Sequence, residues 1–510
     1  MTSTVTENNK RIAKNTMYLY LRMLLIMGVT LYTSRVVLQV LGVEDFGIYN
    51  VVGGIVVLFT FVNNAMVTST QRFLNYELGK GDLEATKQVF SASVTIHWGI
   101  AILTLILAET IGLWFLKHYI QYPEEREIAV NFTYQFTILS TCVSIIRTPY
   151  NAAIIAHERM SFYAYISIVE VLLRLLIVYL LTLVDFDRLI FYSILMFLII
   201  LVVTIGYYVF SRVSFIVCRY NFFLKGDIYK RLMSFSGWSL LGGVANMGAS
   251  QGLNILLNLF YGVAINAAMG IANQVQSAVY SFVSNFQTAF NPQIVKSYAA
   301  GNRDYFINLI IRSSKFSYFL LYIISLPIYL FCEEILALWL GEVPAYTVSF
   351  CRLMIIFSLL DAIQGPLWIS VQATGKIRNY QILMSVMILL NLPLSYLFLK
   401  LGYVPEIVLI IRCLLNIIIL FVRLYYLKCL YAFPISVYVK DVIMRVIYVT
   451  LPAIVFLYIP YNVDAAFFEI IIAVLLVLLF NSFLIYFSGL SYEERKMFYS
   501  QMKKLYEKCR

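Results

Sequence analysis

Three arginines deep within hydrophobic sequence are the side chains of this chain best placed to do chemistry. Arg22, Arg147 and Arg174 each interrupt a long apolar run, where a charge is costly and normally faces a partner or a watery cavity. A guanidinium donates two parallel hydrogen bonds to a phosphate or a carboxylate. Glu170 lies four residues before Arg174, so both fall on one helical face and are expected to pair. We therefore predict that these arginines line a cationic cavity.

Three further arginines, Arg35, Arg352 and Arg412, lie nearer the expected outer ends of apolar runs. A long side chain near a membrane surface extends its charge to water, and this is the simpler interpretation of all three. Arg35 is kept as an additional candidate for the cavity because it shares its apolar run with Arg22.

Amide side chains are concentrated in two consecutive apolar runs between residues 232 and 291. Amides hold helices together in membranes, and that role accounts for part of the set. The remainder can hydrogen-bond sugar hydroxyls without imposing charge, which suits a bulky polar cargo. The candidates for such contacts are Asn63, Asn254, Asn273, Gln274 and Asn285.

Few other residues suggest chemistry. Glu170 and Asp361 are the acids most clearly placed within apolar runs, and they are candidates for binding a coupling ion, either H⁺ or Na⁺. The three histidines have no Ser, Cys or metal partner at useful spacing, and the seven cysteines form no pattern. We predict no catalytic residue, no metal site and no cofactor.

The composition places these residues in a membrane. The chain of 510 residues is 61% hydrophobic and only 13% charged, with a mean hydropathy of +0.82. A soluble fold of this length cannot bury so much apolar surface. Long apolar runs without strand-like alternation predict helices, so the fold class is an all-α polytopic membrane protein.

The apolar runs, each about 20 to 28 residues long, predict fourteen transmembrane helices. Pro149 and Pro366 lie in the fourth and tenth and are predicted points of flexure. The predicted spans are 15–40, 46–71, 88–115, 129–156, 160–184, 189–211, 232–260, 264–290, 306–331, 345–373, 379–399, 404–427, 441–460 and 466–488.

The distribution of positive charge predicts the orientation. Of the 38 Lys and Arg residues, only Lys117, Arg126, Arg188 and Lys400 fall in odd-numbered connections, which are acidic instead. Cytoplasmic loops carry the excess of Lys and Arg, so both termini are expected in the cytoplasm. The net charge of +11 is then explained by basic residues at the inner membrane surface. The sequence contains no basic soluble domain that would indicate nucleic-acid binding.

The two halves of the chain repeat each other. A nearly constant shift along the sequence superposes similar residues in the same order, for example Gly42 on Gly262, Gly79 on Gly301 and Pro149 on Pro366. Because the shift spans an even number of helices, the repeats are expected to be parallel, as in transporters whose two lobes face a cavity and open alternately to each side.

The repeat predicts the domain organisation. Residues 1–211 form an N-lobe of six helices and 232–428 a C-lobe of six, while 429–490 add two helices and 491–510 a basic cytoplasmic tail. Residues 212–231 link the lobes. Their basic and aromatic residues suit either a helix lying on the inner membrane surface or an unstructured basic linker.

Roughly residues 10–490 resemble the Wzx-type polysaccharide and O-antigen flippases of the multidrug/oligosaccharidyl-lipid/polysaccharide (MOP) exporter superfamily. The resemblance rests on the span count, on residues 34–38 and 41–49, and on the segment from Gln71 to Asp82. It implies a MATE-like fold in a bacterial inner membrane. It also implies translocation of undecaprenyl-pyrophosphate-linked oligosaccharide for O-antigen, capsule or exopolysaccharide synthesis, with the pyrophosphate meeting Arg22, Arg147 and Arg174. Expected partners are membrane lipids and the polymerase and glycosyltransferases of the same pathway.

Two other functions are weighed against this one. A cation-coupled antiporter of drugs or small molecules, from the same superfamily, resembles this chain in fold but uses buried acids in its first or seventh span, and neither span has one here. A membrane polymerase or glycosyltransferase needs large outer loops to assemble a site, and the outer connections here are short. The sequence therefore predicts a transporter and not an enzyme.

Overall fold

The structure is a computed structural model of the chain and describes residues 2–58, 60–119, 122–183, 186–222, 226–453 and 467–496. Within these ranges all regular structure is helical, as the absence of strand-like alternation predicts. Nine helical stretches of the described ranges are long and apolar enough to cross a bilayer. Each of the fourteen predicted spans also overlaps at least one described helix. The predicted all-α polytopic fold class is confirmed.

The helices are numbered in chain order, and five short 3₁₀ or π turns of the described ranges, at 108–112, 124–126, 216–218, 439–443 and 485–489, lie between or beside them. Their bounds are α1 Thr2–Leu58, α2 Phe61–Lys80, α3 Leu83–Leu107, α4 Leu113–Tyr119, α5 Glu127–Ala156, α6 Met160–Leu181, α7 Arg188–Ser214, α8 Gly226–Tyr261, α9 Val263–Ala299, α10 Arg303–Leu330, α11 Cys332–Leu340, α12 Thr347–Ala362, α13 Gly365–Thr374, α14 Arg378–Leu389, α15 Asn391–Lys400, α16 Ile407–Tyr431, α17 Ile435–Tyr438, α18 Met444–Ala453 and α19 Phe467–Leu484.

The duplication is visible in the backbone. Gly42 and Gly262 both have a φ of 80°, and each marks the junction between two successive predicted spans. Gly81 and Gly301, at the ends of α2 and α9, have φ values of 77° and 73°. Glycine adopts this left-handed conformation without steric cost. The same two backbone breaks therefore occur in both repeats, at the same separation along the chain.

Helix caps refine the alignment of the repeats at the ends of α2 and α9. Similarity of the sequences pairs Gly79 with Gly301, whereas the left-handed backbone pairs Gly81 with Gly301. The next residues agree with the second pairing, because the Asp82 and Asn302 side chains both cap the helix that follows. At the ends of α2 and α9 we therefore align Gly81 with Gly301, because this pairing also aligns the two capping residues that follow them.

The chain divides into two compact units. The first comprises residues 1–243 and 288–301, and the second comprises 244–287 and 302–510. The start of α8 and the end of α9 thus pack with the first unit, although both helices belong to the second repeat by sequence. The domain organisation predicted from the repeat, with lobes at 1–211 and 232–428, stays a prediction.

The linker between the lobes is not a surface helix where it is described. It has one 3₁₀ turn, Ile216–Cys218, and residues 219–222 have no regular structure. The Asn221 backbone N–H donates to Ser91 Oγ at 3.1 Å, and the Tyr220 hydroxyl lies 3.2 Å from Thr95 Oγ1. These contacts hold the middle of the linker against α3, so residues 215–222 are ordered without forming an α-helix, while residues 212–214 complete α7 and residues 226–231 begin α8.

At the predicted outer end of the first unit, Arg126 joins three connections. Its Nε and Nη2 donate to both carboxylate oxygens of Asp45 at 2.9 and 2.5 Å, and its Nη1 donates to Asp187 at 2.5 Å. Asp187 also caps α7 by accepting from the backbone N–H of Leu189. A bidentate guanidinium–carboxylate pair is the stronger kind of ion pair.

We expect Arg126→Ala to lower the melting temperature of the purified protein by several degrees. The change removes four charged hydrogen bonds and leaves two partly buried carboxylates without their shared cation. Lys117→Ala, which removes an exposed cation at the same end, is the matched control and should not change the melting temperature. Equal melting temperatures for both variants would show that the Arg126 contacts contribute nothing to stability.

Candidate functional site

Glu170 on α6 lies between two of the predicted arginines. Its Oε1 accepts a hydrogen bond from Arg174 Nη2 at 2.7 Å, and its Oε2 lies 3.7 Å from Arg147 Nη1. The Arg174 contact confirms the pairing predicted from the four-residue spacing. Arg147 comes from α5, so the carboxylate joins two helices. All three side chains are only partly buried, which leaves their charges within reach of a ligand.

Arg22, the third predicted arginine, lies beside this group. Its guanidinium carbon is 4.4 Å from the centre of the Tyr163 ring, and its buried Nε has no hydrogen-bond partner among the described residues. Arg147 lies 5.4 Å from the centre of the Tyr207 ring, and Tyr207 is within electrostatic range of Arg22 and Glu170 as well. Helices α1, α5, α6 and α7 thus bring the predicted residues together within the first unit.

The charge of this group is positive. Arg147 and Arg174 share one carboxylate, Arg22 lies beside them but forms no ion pair with that carboxylate in the described structure, and two aromatic rings cover the faces of Arg22 and Arg147. Rings of this kind stabilise a cation without neutralising it. The group can therefore attract and hold an anion, with Nε of Arg22 as an available donor. The side chain of Arg35, the fourth candidate, lies outside the described part of the structure.

The predicted glycan-contact amides belong to two different units. Asn63 is in the first, where its buried Oδ1 lacks a hydrogen-bond partner among the described residues. In the second unit, Asn254 donates to Gln251 on its own helix and Asn285 donates to the Ser281 carbonyl. Asn273 is half-buried and Gln274 is exposed, both on α9. Two of the five amides thus bond within their own helix, and the assignment to glycan stays a prediction.

The second unit has its own acidic centre at Asp361. The Tyr280 hydroxyl donates to Asp361 Oδ2 at 2.7 Å, which joins α9 to the end of α12. Arg412 on α16 lies within electrostatic range of this carboxylate, and Arg423 on the same helix lies within electrostatic range of the Tyr280 hydroxyl. Asp361 was predicted as a coupling residue, and a carboxylate flanked by a guanidinium group and a hydroxyl can exchange a proton or a cation as its neighbours move.

The helix is broken beside Asp361. The predicted tenth span divides into α12, which ends at Ala362, and α13, which starts at Gly365. Pro366 cannot donate to the Ala362 carbonyl four residues earlier, and the Gln287 side chain donates to it instead, at 3.2 Å. Arg423 donates to the Gln364 carbonyl at 2.9 Å. The first repeat differs, because α5 continues through Pro149 without a break. Of the two predicted points of flexure, only Pro366 lies at an interruption.

Two of the arginines predicted to reach the outer surface have partners within the second unit. Arg412 lies 4.0 Å from the centre of the Phe357 ring and is attracted by Asp361, while Arg352 donates to the Tyr329 carbonyl at 3.2 Å. These contacts could not be predicted from the position of each arginine along its span, because the burial of a side chain depends on the rotation of its helix about the helix axis.

Sequence reasoning missed the most deeply buried carboxylate of the first unit's described residues, Glu158. It lies in the turn between α5 and α6, outside every predicted span, and its side chain is 0% exposed. Its partners, Arg11, Gln293 and Lys296, are distant in sequence. One feature of the sequence pointed to Glu158: it is a charged residue in a connection of only three residues between two predicted spans, which is too short to extend into water.

Comparison with known families identifies the fold. A family model described as MatE matches residues 19–180 and again residues 235–397, one match in each repeat. A comparison with curated protein sequences gives no significant match.

Solved structures agree with the family match. An outward-facing multidrug resistance MATE family transporter of the MOP superfamily is 14% identical with a TM-score of 0.67, over 81% of this chain and 95% of that one. The MATE transporter ClbM in complex with Rb⁺ is 14% identical with a TM-score of 0.68, over 81% and 94%. A MOP superfamily transporter from Pyrococcus furiosus, whose binding pocket is described as having reversed polarity, is 14% identical with a TM-score of 0.65, over 84% and 96%.

Proposed function

Since this chain belongs to the MatE family of membrane transporters, we propose that it exports an anionic amphiphile bound by the arginines of its first unit. Its specific cargo in this proposal is an oligosaccharide linked to a polyprenyl pyrophosphate, moved from the inner to the outer leaflet by alternating access. The observation that carries the proposal is that Glu170 pairs with two arginines, Arg147 and Arg174, while Arg22 lies beside them over the Tyr163 ring.

The chemistry of the cluster favours an anion over a cation. A positively charged drug would have to approach Arg22, Arg147 and Arg174 with only one carboxylate to offset them. In a cleft of low dielectric constant such like-charge repulsion is far stronger than in water. A pyrophosphate instead offers several acceptor oxygens to guanidinium groups that donate in pairs.

The resemblance to Wzx-type flippases supplies the remainder of the cargo. A pyrophosphate in this setting carries a polyprenyl chain, which stays in lipid, and an oligosaccharide, which amide side chains such as Asn63 are able to bind. The site of action in this proposal is a bacterial inner membrane, with the glycosyltransferases that make the cargo and the polymerase that uses it as partners.

The test is translocation in proteoliposomes that contain the purified full-length chain. Fluorescent polyprenyl-pyrophosphate oligosaccharide is placed in one leaflet, and its loss of protection from an added glycosidase is followed over time. We expect translocation of the pyrophosphate lipid and little translocation of a neutral glycolipid with the same glycan. Equal rates for the two lipids would contradict the anionic-cargo proposal.

A second candidate is a cation-coupled antiporter of drugs or small molecules. The family match and the likeness to MATE transporters favour it over the flippase. The structural observation that supports it is Asp361, a carboxylate held by Tyr280 at a break in the helix. In the same proteoliposomes, uptake of an organic cation driven by a pH or Na⁺ gradient, with no movement of the pyrophosphate lipid, would favour this function.

A further inference from the structure

Glu158 has an unusual backbone conformation for a charged residue. Its φ is 59°, in the left-handed region that side chains other than glycine rarely adopt. The equivalent position of the second repeat, by the alignment that pairs Pro149 with Pro366, is Gly375, which has a φ of 75°. A turn at this place needs only glycine. The first repeat therefore has a glutamate at a position where glycine would strain the backbone less.

The Glu158 carboxylate is saturated by donors from two other helices. Arg11 Nε on α1 lies 2.8 Å from Oε2, and Lys296 Nζ on α9 lies 2.6 Å from Oε1. Gln293 Nε2, one turn before Lys296, contacts both oxygens at 2.8 and 2.7 Å. A buried carboxylate is stable only when it is paired and hydrogen-bonded in this way.

The helices that meet at Glu158 come from different repeats. Arg11 lies on α1 just before the first predicted span of the N-lobe, whereas Gln293 and Lys296 lie at the end of α9 in the second repeat. Gly79 on α2 packs against α9 at the same level, where an added Cβ would come within 2.6 Å of the Lys296 Cα. The charge distribution places all of these helix ends at the cytoplasmic side.

We propose that Glu158, Arg11, Gln293 and Lys296 form an inner gate, a clasp that holds the end of α9 against the first repeat and separates when the transporter opens inward. Transport by alternating access requires the two repeats to part at this end, and these contacts join them. The gate is suited to opening and closing, because the desolvation cost of a buried ion pair largely offsets its attraction. When the groups part, water solvates each charge.

The test measures the separation of α9 from the first repeat. Spin labels are attached to cysteines introduced as Glu84→Cys, at the start of α3, and Ala300→Cys, just after α9; both positions are exposed. The native cysteines are replaced by serine in the full-length chain. The distance between the labels is then measured by electron paramagnetic resonance in lipid nanodiscs.

We expect both Glu158→Gln and Glu158→Gly to increase the population with the longer label distance by at least about tenfold. The glycine variant relieves the backbone strain of the turn. If Glu158 had only a structural role there, this variant would fold and would show the same label distance as the parent protein. The matched control is Glu494→Gln, which disrupts another buried Lys–Glu pair, to Lys315 at 2.6 Å, and should not change the label distance.

A charge exchange keeps the test decisive if the single variants fold poorly. Glu158→Lys combined with Lys296→Glu and Arg11→Gln rebuilds the ion pair with reversed polarity and removes the guanidinium group that would otherwise repel the new lysine, so it should return the label distance toward that of the parent protein. An unchanged distance in both Glu158 variants, or no recovery in the exchanged pair, would overturn the inner-gate proposal. Neither result depends on the identity of the cargo.

Discussion

Replacing both Arg147 and Arg174 with alanine is expected to reduce translocation of the pyrophosphate lipid at least about a hundredfold. Each guanidinium supplies charged hydrogen bonds worth about 1.5–3 kcal/mol, and the loss of two such contacts corresponds to a factor of about 10² or more. Lysine at either position should restore only part of the activity, because it keeps the charge and loses the paired donors. The measurement is the initial translocation rate in proteoliposomes with matched protein content.

Glu170 complicates the interpretation of the single variants. Its Oε1 accepts from Arg174 at 2.7 Å, so Arg174→Ala leaves a partly buried carboxylate with a weaker partner. Changing Glu170 and Arg174 together to glutamine separates the two roles, since no unpaired carboxylate remains, although Arg147 then loses its own contact with Glu170. Recovery of both folding and transport in this double variant would make the pair structural and leave Arg22 and Arg147 as the cargo contacts.

Arg352→Ala serves as the matched control for removing an arginine from a span, because Arg352 binds a backbone carbonyl in the second unit. It should retain most of the translocation activity. Normal export by alanine variants at Arg22, Arg147 and Arg174 alike would exclude an anion site at these residues.

The sequence predicted contacts between residues close together on one helix. Glu170 and Arg174 are four residues apart, and that spacing fixes their contact wherever the helix lies. It also predicted the helical fold and the duplication, because hydrophobic length and repeated glycines do not depend on tertiary packing. The left-handed residues at Gly42 and Gly262 follow from the same local rule.

Contacts between distant helices were not predictable in the same way. Arg72, Lys315 and Arg423 were not singled out from the sequence, yet the first two are almost fully buried and the third binds the Gln364 carbonyl. Whether a charge near a span end meets water depends on the rotation and packing of its helix, which a single sequence does not specify. Glu158 was missed for this reason, since its donors are Arg11 and the end of α9.

Asp361→Asn is expected to reduce gradient-driven transport to the rate measured without a gradient, whichever cargo the protein carries. Asparagine has nearly the same volume, and its Oδ1 can still accept the Tyr280 hydrogen bond, so the broken helix should keep its shape. The side chain can no longer bind a proton or Na⁺ as a carboxylate does, and Arg412 loses the anion that attracts it.

The effect of the Asp361 charge is isolated by comparing two rates, that of cargo transport driven by an ion gradient and that of cargo exchange without a gradient. Exchange of cargo across the membrane at equal ion concentrations needs the conformational cycle but no net ion movement, and it should continue in Asp361→Asn. Tyr280→Phe is the matched control, because it removes the 2.7 Å hydrogen bond and keeps the carboxylate, and it should retain gradient-driven transport. If driven transport persists in Asp361→Asn, the coupling ion binds elsewhere. If exchange is lost together with driven transport, Asp361 supports the structure of the break between α12 and α13, where Gln287 and Arg423 already bind the exposed carbonyls.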